Sequence, residues 1–341
     1  MNQEEIVKAL LRPEAYDEKV KKIRALQTHI SYVFLTGKYA YKIKKPVNFG
    51  FLDFSTLEKR KQFCELEVQL NSRLSPHVYL GTVPVIAEGG RLRFGSIHDG
   101  NRGGDGDTVD WAVVMNKIPM EKSMKKLAEQ NKLTRDIIDS VAWKIAEFHK
   151  SAETSPEIEK YGSIAVVKKN TDENFEQTEK YIGVTISEDT YYRLFDYTED
   201  FYRNNADIFQ GRIQSKKIRD CHGDLHMEHI CITEPITIFD CIEFNYRFRY
   251  SDTAADIAFL AMDMDFHGLK SLSEYLIERY MEYSGDHGLR DILDFYKIYR
   301  AYVRGKVISF RLDDPHIPEH EKEWAKKEAN SYFKLAESYI R

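Results

Sequence analysis

The hydrophobic pattern changes from the period of strands to the period of helices near Pro119. Before that point, apolar runs such as SYVFLTGKYAYKIKK (31–45), YLGTVPVIAE, LRFGSI and DWAVVMNKIP predict strands, joined in part by a Gly- and Asp-rich loop at Asp99–Asp107. After Pro119 most segments carry apolar residues at helical spacing. With 341 residues, two lobes are the natural expectation. The chain is therefore predicted to be α+β, with a small β-rich N-terminal lobe (1–118) and a larger, mostly α-helical C-terminal lobe (119–341).

Composition limits the classes of partner and the compartment. Lys and Arg number 50 against 55 Asp and Glu, a formal net charge of −5, so the basic excess typical of nucleic-acid-binding proteins is absent. No apolar run approaches the length of a membrane span, and MNQEEIVKALL lacks the plan of a signal peptide. Four cysteines in a chain of this size predict no disulfide framework. We therefore expect a cytoplasmic protein that binds neither nucleic acid nor a membrane.

The segment 220–244, DCHGDLHMEHICITEPITIFDCIEF, concentrates histidines, cysteines and carboxylates. The strings HICI and ITIFDCIEF predict two short strands. Cys221, Cys231 and Cys241 are expected to be buried, since a free cysteine commonly packs as a small hydrophobic residue. They form no C-x-x-C pair, so their spacing does not indicate a zinc site.

A zinc hydrolase would use the three histidines of the same segment. His222, His226 and His229 could share one face of a helix. Gly223 and the strand-like HICIT that follows argue against a continuous helix. Zinc chemistry is therefore the least favoured of the catalytic interpretations.

Phosphoryl transfer uses the carboxylates of this segment instead. It requires a carboxylate that deprotonates an acceptor hydroxyl and nearby ligands that hold Mg²⁺ on the nucleotide phosphates. HGDLHMEH places Asp224 on a tight turn with His229 five positions later, and the following strand leads to Asp240. One loop for the base and a following hairpin for the metal are typical of a kinase C-terminal lobe.

These motifs resemble a known family. HGDLHMEHI, IFDCIEFN and RYSDTAADIAFLAMDMD together are similar to the aminoglycoside phosphotransferase-like enzymes of the protein-kinase-like superfamily, over about residues 30–310. The resemblance implies a two-lobed protein-kinase-like fold. Some members carry an additional C-terminal P-loop ATPase domain. The chain has no G-x-x-x-x-G-K-[ST], so we expect that domain to be absent.

The resemblance also implies roles for individual residues. Asp224 matches the catalytic aspartate of the HGD motif, and Asp240 matches the aspartate that binds Mg²⁺ on the phosphates. His229 stands where the family usually has a metal-binding asparagine, and imidazole is a softer donor than an amide oxygen. Asp252 and Asp256 match a motif that opens a helix and braces the catalytic loop.

Three further polar residues lie in or beside these motifs. Glu243 is an additional carboxylate close to Asp240 in sequence. It is either a metal or substrate ligand, or a glutamate that is exposed or paired with arginine. His222 and His226 are expected to hold the loop by hydrogen bonds rather than to act chemically.

A kinase-like N-terminal lobe needs a strand lysine that reaches the phosphates and a helix glutamate that fixes it. Lys42 and Lys44 share one face of a strand, and Lys42 is preferred because Ala40 leaves space for adenine, as in the V-A-I-K pattern. The helix offers Glu65 and Glu67, and Glu67 is preferred because it lies on the inward-facing side with Leu70 and Leu74. The apolar stripe of this helix is expected to contain Phe63, Leu66, Leu70 and Leu74.

Two further segments are predicted to contact the nucleotide. Gly37, in the turn of the first hairpin, would cover the phosphates, although no G-x-G-x-x-G is present. The segment Val113–Pro119, which contains Met115 and Ile118, would offer backbone groups to adenine as a hinge.

The sequence thus predicts a kinase that transfers the γ-phosphate of ATP, or of GTP, to a hydroxyl of a small molecule with the help of Mg²⁺. Two alternatives stay open. The first is a pseudokinase, a nucleotide-binding regulator with weak or no turnover, and the second is the zinc hydrolase.

Overall fold

A computed structural model of the protein describes residues 3–97 and 106–340. Most of the loop predicted at Asp99–Asp107 lies outside the described residues. The strands are β1 (Arg24–Gln27), β2 (Ser31–Leu35), β3 (Tyr39–Lys44), β4 (Tyr79–Glu88), β5 (Arg91–Phe94), β6 (Asp107–Asn116), β7 (Ile218–Asp220), β8 (Ile230–Cys231), β9 (Thr237–Ile238) and β10 (Tyr250–Asp252). The helices are α1 (Gln3–Leu10), α2 (Leu57–Ser72), α3 (Met124–Glu129), α4 (Arg135–Ser151), α5 (Pro156–Glu159), α6 (Ile164–Thr178), α7 (Glu188–Asn204), α8 (Ala206–Gln214), α9 (Tyr246–Arg249), α10 (Thr253–Phe266), α11 (Lys270–Ser284), α12 (Leu289–Ser309) and α13 (Glu319–Ser338).

The chain forms two compact units that are not continuous in sequence. The first unit comprises Met1–Lys126 and His229–Tyr246. The second comprises Leu127–Glu228 and Arg247–Arg341. The segment His229–Tyr246, which the sequence analysis assigned to the C-terminal lobe, thus belongs to the same compact unit as the N-terminal residues.

An antiparallel sheet with the order β1-β2-β3-β6-β4-β5 is the centre of the first unit. Strand β3 is interior, since it pairs with both β2 and β6. Successive side chains of a strand point to opposite faces. Tyr41 and Ile43 therefore pack on one face, while Ala40, Lys42 and Lys44 lie on the other. This alternation places both candidate lysines on the same side of the sheet.

A helix covers each face of the sheet. Ile6 and Leu10 of α1 pack with the apolar cluster on the Tyr41 face. Cys64 of α2 packs with the cluster on the opposite face. Helix α2 begins after Thr56, whose hydroxyl accepts a hydrogen bond from the amide of Lys59, a normal N-terminal cap. Because it covers the Lys42 face, α2 brings its own side chains to the two lysines.

The hairpin of β8 and β9 is shorter than the sequence suggested. Ile230 pairs with Ile238 and Cys231 pairs with Thr237, and the regular pairing ends there. Asp240 has a φ of 65°, which lies in the left-handed region and cannot continue a strand. The chain therefore turns at Asp240 instead of extending the strand to Phe244.

The second unit consists mainly of packed helices. Helix α4 begins after the N-terminal cap Thr134, and four residues predicted to face inward are buried: Ile138, Val141, Ala142 and Ile145. Helix α10 is buried from Thr253 to Asp265 and packs against α11 and α12. A helix that is buried on all sides belongs to the interior of a domain. In the two described ranges, no helix has both the length and the apolar character needed to cross a membrane.

Candidate active site

The lysines of β3 meet the glutamate of α2 inside the first unit. Lys42 Nζ donates to Glu67 Oε1 over 2.8 Å, and Lys44 Nζ donates to Glu67 Oε2 over 2.7 Å. The side chain of Glu67 has no solvent exposure, so the prediction that it faces inward is confirmed. Both oxygens of one buried carboxylate thus bind ammonium groups from one strand. The sequence analysis treated Lys42 and Lys44 as alternatives, whereas both contact Glu67.

Each lysine also binds a carboxylate from the segment that follows β9. Lys42 Nζ donates to Asp240 Oδ1 over 2.7 Å, and Lys44 donates to Glu243. The pairs differ in exposure. The Lys42 and Asp240 side chains are 12% and 43% exposed, whereas those of Lys44 and Glu243 are 1% and 5% exposed. Glu243 is therefore neither a surface glutamate nor one paired with arginine.

The charges of this cluster stabilise one another. Burial would raise the pKa of Glu67, but the ammonium groups of Lys42 and Lys44 outweigh that effect and hold the pKa below its ordinary value. Burial would lower the pKa of Lys42, but Asp240 and Glu67 raise it well above its ordinary value. Burial raises the pKa of Glu243, against the opposing charge of Lys44. The cluster therefore keeps Lys42 positively charged next to a partly exposed carboxylate.

The segment that follows β9 and contains Asp240 is attached to α2, and to the turn after α2, by two residues that the sequence analysis did not identify. The hydroxyl of Ser75 accepts from the amide of Ile238 over 2.9 Å and donates to its carbonyl over 2.8 Å. Asn71 accepts from the amide of Cys241 over 2.9 Å and donates to the carbonyl of Glu67, also over 2.9 Å. The sequence indicated only that Asn71 lies one helical turn after Glu67 and so shares its buried face of α2.

His229 and Asp240, the two residues predicted to bind the metal, lie next to each other. His229 Nε2 lies 3.6 Å from Asp240 Oδ2, and its ring packs against Phe239. Two ligands about 2.1 Å from a Mg²⁺ ion lie about 3 Å apart when they meet at right angles, so the two side chains would have to approach each other by about 0.6 Å to share such an ion. The position of Glu243 fits such a role less well, since it is buried and bound to Lys44.

The loop that contains Asp224 is held in the second unit by its backbone. The amides of His222 and Gly223 donate to the two carboxylate oxygens of Asp256, over 2.8 and 2.9 Å. Arg300 donates to the carbonyl of Gly223 over 2.9 Å. Gly223 has a φ of 87°, which favours glycine. The loop is thus fixed immediately before Asp224, whose side chain is 36% exposed.

Asp256 is a deeply buried anion. His149 Nε2 lies 3.2 Å from Asp256, and His149 Nδ1 lies 2.8 Å from the hydroxyl of Tyr280. Burial would raise the pKa of Asp256, but its interaction with His149 outweighs that effect and lowers the pKa to about 2. The predicted bracing role of Asp256 is confirmed by the hydrogen bonds that it accepts from the amides of His222 and Gly223.

The neighbouring polar residues also support the structure. Asp252 caps α10 through the amide of Ala254, over 2.9 Å, and binds Arg212 with both carboxylate oxygens. The Nδ1 atoms of His222 and His226 accept hydrogen bonds from the amides two residues further along, over 3.2 and 3.4 Å. Asp252 therefore opens α10 as expected, and the hydrogen-bonding roles of the two histidines are confirmed, whereas the loop before Asp224 is held by Asp256.

Proteins of two mycobacterial species are similar to this chain in sequence. The chain matches no protein-family model. An uncharacterized protein of Mycobacterium tuberculosis is 33% identical over 283 residues, which cover 82% of this chain and 53% of the relative. An uncharacterized protein of Mycobacterium bovis gives the same values. The chain therefore spans about half the length of the curated relatives it matches.

The similarity to a solved structure is more informative about the fold. The choline/ethanolamine kinase family protein from Mesorhizobium loti aligns with 99% of this chain and 98% of its own, with a TM-score of 0.51 and 13% identity. The chain has the protein-kinase-like fold. The resemblance inferred from the sequence motifs is thereby confirmed for the fold.

The remaining predicted residues can be placed within the kinase-like fold. Met115 of β6 is paired with Ala40 of β3, and Ile118 packs at the edge of the same apolar cluster. Gly37 lies in the turn between β2 and β3, and a Cβ atom there would meet no atom within 4 Å. The amide of Lys117 donates to the carbonyl of Lys38 over 2.9 Å. The two segments predicted to contact the nucleotide are therefore neighbours in the first unit.

The structure also bears on the zinc interpretation. The segment around the three histidines is not a continuous helix, since only Met227–His229 forms a single 3₁₀ turn. Cys221, Cys231 and Cys241 are buried free thiols, as predicted. The helical face that a three-histidine site would require is therefore not formed.

Proposed function

We propose that the protein is a phosphotransferase that moves the γ-phosphate of ATP, or of GTP, to a hydroxyl of a small molecule. One observation carries the proposal: Lys42 of β3, Glu67 of α2 and the partly exposed Asp240 form one contiguous ion-pair cluster. In kinases the strand lysine binds the α- and β-phosphates, the helix glutamate orients it, and an aspartate holds Mg²⁺. A purely structural ion pair would not require an exposed carboxylate.

Lys42 is the better candidate for the phosphate-binding lysine. Its side chain is 12% exposed, whereas that of Lys44 is 1% exposed and enclosed between Glu67 and Glu243. A lysine that binds phosphate must be reached by the ligand. We therefore assign phosphate binding to Lys42 and propose that Lys44 does not contact the phosphates.

Asp240 and His229 would hold the metal ion. Their ligand atoms are 3.6 Å apart, and both side chains retain some exposure. A bound Mg²⁺ would neutralise charge on the phosphates. Because an imidazole replaces the usual oxygen ligand, a metal somewhat softer than Mg²⁺, such as Mn²⁺, should also be accepted.

Asp224 would act as the base and accept the proton of the acceptor hydroxyl. The fixed backbone of His222 and Gly223 supports this assignment, because it limits the freedom of a partly exposed carboxylate. The adenine ring would lie near Ala40, Met115 and Ile118, where the apolar cluster adjoins the lysine face. The acceptor is proposed to be a small molecule, without assignment of its class.

A second candidate is a nucleotide-binding protein with little or no turnover. The replacement of the usual amide ligand by His229 favours it, since a weaker metal site would reduce catalysis more than nucleotide binding. Asp224 favours the kinase, because a protein that only binds the nucleotide would not need a catalytic base.

Thermal unfolding with Mg²⁺ or Mn²⁺ and ATP or GTP tests the proposal. A nucleotide at about a hundred times its Kd adds roughly 2.7 kcal/mol to the stability of the folded state. Asp240→Asn should remove most of the shift in Tm. Asp224→Asn should keep the shift but reduce ADP or GDP release with a suitable acceptor by about 10²–10⁴-fold.

The outcomes separate the candidates. No shift with any of the four combinations would refute both the kinase and the nucleotide-binding protein. A shift in the parent protein without nucleoside diphosphate release, across a broad set of hydroxyl-bearing metabolites, would favour the second candidate.

A further inference from the structure

The lysine and glutamate pair expected of a kinase occurs twice in the first unit. Lys42 and Lys44 are two positions apart on one face of β3, and each binds one oxygen of Glu67. Each also binds its own acidic partner, Asp240 or Glu243, from a segment about 200 residues later in the chain. In the proposed function, Lys42, Glu67, Asp240 and His229 bind the phosphates and the metal. The proposed function therefore leaves the contact between Lys44 and Glu243 unexplained.

The two pairs are suited to different tasks. The Lys42–Asp240 pair is accessible to ligands, because the Asp240 side chain is 43% exposed. Phosphate would bind to the Lys42 ammonium group and the metal to the Asp240 carboxylate, the same two groups that form this contact. The Lys44–Glu243 pair is almost fully enclosed and offers little surface to a ligand. It can persist while the Lys42–Asp240 contact is exchanged for a ligand.

The charges explain why the second lysine is needed. Glu67 and Glu243 are both buried carboxylates, and an unpaired buried charge is strongly unfavourable. Without Lys44, both would compete for the one remaining ammonium group, that of Lys42. Lys44 thus leaves the Lys42 ammonium available at the exposed edge of the cluster.

The enclosed pair also limits the movement of the metal-binding segment. Asp240 is held on one side by the hydrogen bond from the Cys241 amide to Asn71. Three residues further along, Glu243 is held by Lys44 on β3. These two attachments fix the segment against both α2 and β3, independently of the contact between Lys42 and Asp240.

We infer that Lys44 and Glu243 are positioning residues, which hold Glu67 and the Asp240 segment in the arrangement that binds the phosphates and the metal. This inference rests on the proposed function. It replaces the roles that the sequence suggested for these two residues, a phosphate-binding lysine and a metal ligand. Neither touches the ligand, and both act through Glu67 and Asp240.

Isothermal titration calorimetry with Mg-ATP and Mg-GTP, together with Tm, tests the inference. The variants are Lys44→Met and the milder Glu243→Gln. The matched control is Lys297→Met, which breaks another enclosed pair, Lys297 with Asp265, at 2.9 Å in the second unit. If Lys44→Met does not fold, Glu243→Gln carries the test, because glutamine keeps the shape of glutamate and an oxygen that can accept from Lys44.

The expected result is a Kd for the Mg-nucleotide at least tenfold higher in Lys44→Met and several-fold higher in Glu243→Gln, with a higher Mg²⁺ concentration needed for half-maximal binding. Lys297→Met should have a lower Tm than the parent but the same Kd for the Mg-nucleotide. Lys44→Arg should recover part of the affinity. Unchanged Kd and Mg²⁺ dependence in both Lys44→Met and Glu243→Gln would overturn the inference, because the pair would then be structural only. If the parent protein bound neither Mg-ATP nor Mg-GTP, the proposed function itself would be refuted, and the inference with it.

Discussion

Replacement of Asp256 by asparagine removes the anion that holds the backbone before Asp224. The two carboxylate oxygens of Asp256 accept from the amides of His222 and Gly223, and one of them also lies 3.2 Å from His149 Nε2. Asparagine keeps one oxygen and places an NH₂ group where the other was. One buried N–H donor therefore faces another donor and loses its acceptor.

The magnitude of the loss has two sources. A pKa lowered from 3.8 to about 2 corresponds to about 2 kcal/mol of stability from the ionised form of Asp256. A buried donor without an acceptor costs about 1–3 kcal/mol. Since both concern the same buried carboxylate, they are not independent. We expect Asp256→Asn to lower the free energy of unfolding by about 2–4 kcal/mol at pH 7.

The pH dependence has a definite sign. Because folding lowers the pKa of Asp256, the contribution of its charge is fully present above the ordinary value of 3.8. It is lost as the pH falls from there towards about 2. The difference between the parent and Asp256→Asn should therefore shrink as the pH falls below about 4.

Urea unfolding of the parent and the variant from pH 3.5 to 8 measures this difference. Asp196→Asn is the control, because Asp196 is an exposed aspartate on α7 and its replacement should change stability by less than about 0.5 kcal/mol. A loss for Asp256→Asn no larger than that of the control would refute the bracing role. A difference that already shrinks between pH 8 and 5 would show that the charge of another group is responsible.

Two further predictions concern packing and the metal. Gly305→Ala should destabilise the protein by about 1–3 kcal/mol in urea unfolding, because its Cβ would lie 2.8 Å from the buried ring of Phe333, whereas Gly211→Ala, with open space around it in α8, should be neutral or stabilising. Equal effects of the two would contradict the packing argument. His229→Ala should raise the Mg²⁺ concentration needed for half-maximal nucleotide binding by at least tenfold, while His229→Asn should keep it near that of the parent. An unchanged Mg²⁺ requirement in the alanine variant would remove His229 from the metal site.

The elements whose pattern is local were predictable from the sequence. The period of two placed Lys42 and Lys44 on one face of β3, and the period of 3.6 placed Glu67 on the inward side of α2. The resemblance of the HGD segment also indicated the correct fold. The hydrophobic period and the HGD motif are both properties of short stretches of chain, so they can be recognised in a single sequence.

The prediction of the apolar stripe of α2 was only partly correct. Leu70 and Leu74 are buried, but Phe63 and Leu66 are only half-buried. The buried face instead contains Arg60, Cys64, Glu67 and Asn71. A helix that covers a charged cluster buries polar residues that hydrophobic periodicity assigns to solvent.

The second half of the charge cluster could not be predicted. The contact of Lys44 with Glu243 joins residues 199 apart in sequence, and that of Lys42 with Asp240 joins residues 198 apart. No local pattern indicates which lysine meets which carboxylate. The choice follows from the alternation of β3 combined with the left-handed turn at Asp240, which only the folded chain reveals.

The discontinuity of the first unit has a consequence for biosynthesis. Its sheet and α2 lie within Met1–Lys126, but the carboxylates of Asp240 and Glu243 follow only after all of Leu127–Glu228 has been synthesised. At ribosomal rates of about 5–20 residues per second, that delay is roughly 5–20 s. During this interval the nascent chain has two lysines on β3 and a single glutamate to neutralise them. The N-terminal residues therefore emerge first, yet the interior of their unit reaches electrical balance only when much of the second unit has been translated.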